Sequence, residues 1–194
     1  MFDTADMLKV FAKHRGDAIV ISGRGGKHWI NISDTATDIP LGDPAMGGHS
    51  GFGLGLAMAL PKRKIVLFDS EGDLQMSLGV LMTIAEQKPS NFYHFMLDNE
   101  CYATTGGQPV PNAQNVKYDQ MALAAGYPRA FAFDDLDKFS KALPDILEGK
   151  GPVFVAMKVK PEIENEAIGN RKKWRTRTQP QVVRDLKQAL GIAA

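Results

Sequence analysis

Residues 65–74 read Ile65-Val66-Leu67-Phe68-Asp69-Ser70-Glu71-Gly72-Asp73-Leu74. Four apolar residues in succession suit a strand buried on both faces, as in a parallel sheet. The acidic stretch Asp69 to Asp73 is then a polar turn at the strand's carboxyl end. From Leu74 to Gln87 the chain is apolar on nearly every side, which predicts a buried helix. The same alternation extends both ways. Upstream lie a short amphipathic helix (Ala5 to Lys13), a strand (Ala18 to Ile21), a Gly-rich loop (Gly23 to Gly26) and a close-packed helix of small residues (Gly47 to Leu60) stopped at Pro61. Downstream follow strands at Phe92 to Leu97, Ala130 to Phe133 and Val153 to Met157. Leu136, Phe139, Leu143, Ile146 and Leu147 mark a helix between the last two, and Gln181 to Leu190 a terminal one. The expected class is α/β, a parallel sheet with helices on both faces.

The chain has 194 residues, an apolar fraction of 44%, a charged fraction of 23% and a net charge of +1. These values suit one soluble domain over residues 1–194, with a basic C-terminal segment at about 165–194. The near-zero balance gives no field favouring nucleic acid or an anionic membrane. No apolar run reaches the roughly 20 residues of a membrane span. The start of the chain lacks a signal-peptide pattern, and its single cysteine, Cys101, leaves no disulfide framework, so a reducing cytoplasm is the expected location. The cluster Arg171-Lys172-Lys173-Trp174-Arg175-Thr176-Arg177 is short, which favours a subunit contact or solvated face over nucleic acid.

Ligands of such sheets sit at the carboxyl ends of strands. That singles out two loops, Asp69 to Asp73 and Asp98 to Gln108. Gly23-Arg24-Gly25-Gly26 does not complete a dinucleotide fingerprint, because His28 replaces the third glycine; Gly26-Lys27 lacks the upstream glycine of a P-loop. Carboxylates at a helix start suit an anion only through a cation, and magnesium takes oxygen ligands from protein, phosphate and water. Alternatively Glu71 and Asp73 simply favour a helix's first turn, with Asn99 and Gly106-Gly107 forming bends.

Asp69-Ser70-Glu71-Gly72-Asp73-Leu74, followed by Leu97-Asp98-Asn99-Glu100-Cys101-Tyr102 and Gly106-Gly107-Gln108, resembles the thiamine-diphosphate motif of Gly-Asp-Gly, a helix, a strand and Asn-Asn. The similarity is strongest to phosphonopyruvate decarboxylases and the sulfopyruvate decarboxylase beta subunit, whose segment reads D-G-D-G-x-L-M-x-L-G. Leu81-Met82-Thr83-Ile84, Pro89 and Asn91 stay in step, and Met46 to Ala57 resembles that family's S-M-G-x-A-S-x-I-G-L-G-L-A. The resemblance implies a thiamine-diphosphate-binding fold with thiamine diphosphate and Mg2+ as cofactors. It implies Glu71, Asn99 and the Cys101 carbonyl as metal ligands. Ser70, Gly72, Asp73 and Tyr102 would stand at the cofactor, with Met46 propping it and Pro44 and Gly47 meeting its aminopyrimidine. It implies decarboxylation of a small anionic 2-oxoacid. It also implies a partner subunit, since the pyrimidine-binding domain and its glutamate have no room here.

Two departures are plain. Gly-Asp-Gly has become Ser70-Glu71-Gly72, and Asp73 replaces a small residue, so the metal ligand is Glu71 or, one step on, Asp73. The drift also admits a non-catalytic subunit that kept the fold. His49 and His28 are candidates for proton transfer or substrate contact, or else loop histidines bonded to backbone. Lys27 falls where the resembled family has a basic residue, which implies a contact with the substrate's acid group. His14 and His94 read as structural.

Overall fold

The computed structural model describes residues 1–41, 46–167, 170 and 175–192. The chain begins with helix α1 (Thr4–Ala12), whose N-cap Asp3 accepts hydrogen bonds from the amides of Ala5 and Asp6. Strand β1 (Ile19–Ser22), a 3-10 helix (Arg24–Asn31) and strand β2 (Asp38–Pro40) follow. Helix α2 (His49–Ala59) leads to β3 (Ile65–Ser70), then α3 (Glu71–Met76), α4 (Val80–Gln87) and β4 (Phe92–Asp98). A two-stranded antiparallel hairpin, β5 (Cys101–Tyr102) and β6 (Gln108–Pro109), precedes α5 (Tyr118–Ala125) and β7 (Arg129–Phe133). The chain ends with α6 (Leu136–Glu148), β8 (Val153–Lys158) and α7 (Gln179–Ala189).

Six strands form one parallel sheet in the order β2-β1-β3-β4-β8-β7. Successive side chains of a strand point to opposite faces. Val66 and Phe68 therefore join Phe11, Trp29, Phe95 and Phe139 beneath α1 and α6. Ile65 and Leu67 join Leu54, Leu81, Ile84 and Ala122 beneath α2, α4 and α5. Both faces are covered, which explains the unbroken apolar runs. The direction of strand addition reverses between β1 and β3, and open sheets of this kind leave a crevice there at the carboxyl ends of the strands.

Several local expectations change. The acidic turn does not exist as a loop: β3 runs to Ser70 and α3 starts at Glu71, with the Ser70 hydroxyl capping the amide of Asp73. The helix expected from Leu74 to Gln87 is two helices. Ser77 leaves helical geometry (φ −140°, ψ 43°) and its hydroxyl donates to the Gly47 carbonyl. Nor is that stretch buried all round, since Met76 and Met82 are 56% and 64% exposed. The Gly-rich loop after β1 opens the 3-10 helix. Strand β2 and helix α5 have no counterpart in the sequence reading. Pro44, Arg171, Lys172, Lys173 and Trp174 lie outside the described residues. No helix among the described residues is long and apolar enough to cross a membrane.

Candidate active site

A cavity of about 260 Å³ opens at the carboxyl ends of β3 and β4. Glu71 stands on its wall at the first position of α3 and is only 1% exposed. Its Oε1 accepts hydrogen bonds from the amides of Asn99 and Cys101, both at 3.2 Å. Its Oε2 is buried without a partner. Burial first, and then the negative charge of Asp98, push the Glu71 carboxyl up to about 8. Asp98 is itself raised by burial, an effect opposed by Lys158 at 2.8 Å. A buried acid with one free oxygen is poised to accept a cation or keep a proton.

Asn99 and Cys101 also line the cavity, and the Asn99 Oδ1 accepts from the Cys101 amide at 3.0 Å. The carboxylate, amide and carbonyl groups of this set are hard oxygen donors of the kind magnesium takes. The residues present therefore fit the implied metal. Gly72 faces the Tyr102 ring so closely that a Cβ would stand 3.2 Å from it. Ser70, Gly72, Asp73, Tyr102 and the half-exposed Met46 all border the cavity. Gly47 is beside it, with φ +75° and its amide donating to Asp73 Oδ1 at 3.2 Å. A Cβ on Gly47 would meet the Met76 Cβ at 2.9 Å, so both its conformation and its surroundings call for glycine.

Behind this wall lies a buried polar cluster. Asp69 Oδ2 accepts from the Ser50 hydroxyl at 2.7 Å and lies 3.1 Å from His94 Nε2. His49 Nδ1 lies 3.0 Å from Asp73 Oδ2 and 3.6 Å from Asp69 Oδ1. Burial opposes charge on His49, but Asp69 and Asp73 outweigh it and raise the imidazole to about 9. Burial likewise opposes charge on Asp69, yet His49 and His94 hold its carboxyl below the usual carboxylate range. The geometry thus brings Ser70, Glu71, Gly72, Asp73, Met46, Asn99, Cys101 and Tyr102 to one cavity and sets His49 behind Asp73, off the cavity wall. His94 is fully buried within β4, in a structural setting.

Lys27 and His28 come from the 3-10 helix after β1. Lys27 Nζ pairs with Glu162 at 3.1 Å and Glu164 at 2.8 Å, and His28 Nε2 lies 2.7 Å from Glu162. Burial opposes the Lys27 charge, but the two glutamates overcome it. The segment after β8 therefore straps this corner, with Lys27, Lys160 and Glu162 on the cavity wall. Glu162, Glu164 and the Ser50–Asp69–His94 cluster escaped the sequence reading. Their partners lie 19 to 137 residues away, so no local pattern announces them.

The family model of the thiamine pyrophosphate enzyme C-terminal TPP binding domain matches residues 22–157. The chain is 32% identical over 159 residues to a phosphonopyruvate decarboxylase of Streptomyces viridochromogenes, covering 81% of this chain but 39% of that protein. It is 31% identical over 156 residues to the sulfopyruvate decarboxylase subunit beta of Methanocaldococcus jannaschii, covering 78% of this chain and 81% of that one. The crystal structure of benzoylformate decarboxylase from Polynucleobacter necessarius superposes with a TM-score of 0.65 at 17% identity, over 82% of this chain and 33% of that chain, which speaks to the fold. A parallel sheet with its cavity at the β3 and β4 ends, together with a family match over residues 22–157, places this chain in the family of thiamine pyrophosphate enzyme C-terminal TPP binding domains.

Proposed function

We propose that this chain is the diphosphate- and metal-binding half of a thiamine-diphosphate-dependent decarboxylase acting on a small anionic 2-oxoacid of the sulfopyruvate or phosphonopyruvate kind, completed by a partner subunit. The observation that carries the reading is Glu71, which lines a cavity shared with Asn99 and Cys101 and whose Oε2 is buried without a hydrogen-bond partner. Glu71, Asn99 and the Cys101 carbonyl would hold Mg2+. Ser70, Gly72, Asp73 and Tyr102 would line the diphosphate end, and Met46 and Gly47 the thiamine body, with Pro44 close by. The bound cofactor supplies the electron sink that lets a 2-oxoacid lose carbon dioxide. The chain's own residues orient the reactants and keep water out. Lys27, on the cavity wall, would meet the substrate's acid group only on release from Glu162 and Glu164, and His28, off that wall, would exchange a proton at Nε2 only through Glu162. A proton from His49 would have to pass through Asp73.

Support for a partner comes from a relative's name and from surface. The chain spans 39% of the Streptomyces enzyme, while the Methanocaldococcus relative, of which it covers 81%, is named as a subunit beta. Met46, Phe52, Met58, Met76 and Met82 are all at least 44% exposed, and Met46 and Met76 among them line the cavity. Apolar surface of this kind suits an interface. We assign it to the subunit carrying the pyrimidine-binding domain and its glutamate.

The test is calorimetric titration of thiamine diphosphate with Mg2+ into the complex purified with its partner. Glu71→Ala is expected to abolish the Mg2+-dependent part of binding. Unchanged binding and turnover in that variant would move the chain to the non-catalytic role that the altered motif also allows.

A further inference from the structure

Lys27 stands on the cavity wall, yet its ammonium is already held by two of the chain's own carboxylates. Glu164 Oε1 lies 2.8 Å from Lys27 Nζ, and Glu162 Oε2 lies 3.1 Å from it. Glu162 also grips His28 Nε2, at 2.9 Å through Oε1 and 2.7 Å through Oε2. Both glutamates belong to residues 160–166, the strap that follows β8. The far side of the strap rests on the turn between β5 and β6. There the Glu164 amide donates to the Ala103 carbonyl at 2.8 Å. A Cβ on Gly107 would stand 2.7 Å from Ile163 Cδ1, and one on Gly106 would stand 3.2 Å from Asn165 Oδ1. The bare glycine pair is therefore what lets the strap seat on this turn. Lys27, Glu162 and Ala103, one residue from each of the three joined segments, all line the cavity.

These ion pairs are partly exposed, so each partner is rehydrated readily when a pair opens. Carried on the same chain, the two carboxylates compete with a dissolved acid as though present at about millimolar concentration. A ligand already held in the cavity by one acid group brings a second one to Lys27 with the same advantage. A ligand with a single acid group leaves Lys27 to the glutamates. We propose that the strap is an autoinhibitory contact: Glu164 and Glu162 occupy the place of a ligand's acid group at Lys27, and a small acid with two anionic ends displaces them and releases the strap from the hairpin. The inference rests on the substrate class proposed above and adds that the substrate itself opens the rim, through its stronger binding to the open form.

Calorimetric titration and amide hydrogen exchange test it together. The assembled complex, loaded with thiamine diphosphate and Mg2+, is titrated with sulfopropanoate, which has two anionic ends and no ketone, and with propanoate, which has one. The double variant Glu162→Gln, Glu164→Gln is expected to bind sulfopropanoate about tenfold more tightly than wild type and propanoate within roughly threefold of it. Saturating sulfopropanoate is expected to speed exchange of residues 161–166 in the wild type by about tenfold, while propanoate leaves it unchanged. Lys27→Met is expected to lose the preference for sulfopropanoate over propanoate. Thermal melts verify folding, and Glu164→Gln alone replaces the double variant if that does not fold. A glutamine variant that binds sulfopropanoate no more tightly than wild type would overturn the inference. So would an equal gain for propanoate, which would mark general charge repulsion, or strap exchange that does not respond to bound sulfopropanoate. In each of these cases the cofactor reading stands. A wild-type complex that binds no thiamine diphosphate with Mg2+ would overturn that reading, and the inference with it.

Discussion

At the scale of the residue, Glu71 sets function against stability. Its carboxyl is raised to about 8 in the folded chain, against an ordinary value near 4.5. The folded state therefore holds a proton that the unfolded state has lost between those limits. Its contribution to stability is fully present below about pH 4.5 and is lost as pH rises through about 8. Glu71→Gln should remove this loss, and the metal-free variant should exceed wild type by about 4–5 kcal/mol near pH 8.5 in urea unfolding, with little difference at pH 4. Equal slopes of stability against pH for the two proteins would refute it. The raised imidazole of His49 adds a second contribution to stability, fully present below about pH 6.5 and lost as pH rises through about 9. Because a cation needs the ionised carboxylate, Mg2+ affinity of the complex should fall about tenfold per unit below pH 8, read by calorimetry in buffers of different ionisation heat.

At the scale of the element, the junction of β3 and α3 does most to build the site. No loop residue separates strand from helix, so Ser70, Glu71 and Gly72 are held by both. The turn at Gly47 is locked against α3 from the other side by the Asp73 carboxylate and the Ser77 hydroxyl. Gly47→Ala forces a Cβ onto Met76 in a left-handed conformation, and should cost about 1–3 kcal/mol in unfolding experiments and weaken cofactor binding as Met46 shifts. Unchanged stability would mean the turn is looser than its geometry. Strands β1, β3, β4, β7 and β8 and the long helix α6 were legible because apolar spacing alone defines them. Glu71 and Asn99 were legible through an ungapped motif. The break at Ser77 was not, because its cause is a carbonyl 30 residues upstream. Helix α5 buries only Tyr118 and Ala122, too few to show a period. His49 could be picked out as a candidate, but its pairing with Asp73 exists only once α2 is laid beside β3.

At the scale of the whole molecule, one end of the sheet carries the site and the surrounding helices carry exposed methionines. Met82→Glu is expected to leave the melting temperature of the isolated chain within a degree or two while shifting the complex towards free subunits in native mass spectrometry, as a charge placed in an apolar contact should. A complex of undiminished population would place the partner elsewhere. The strap after β8 reaches across this same end. Glu162 and Glu164 grip Lys27 and His28 while Glu164 donates its amide to the Ala103 carbonyl in the opposite loop. These ion pairs are partly open to solvent, so dissolved salt loosens them. The strap is thus a charge-held seam at the cavity's rim, and its grip on the sheet end is set as much by the surrounding electrolyte as by the fold.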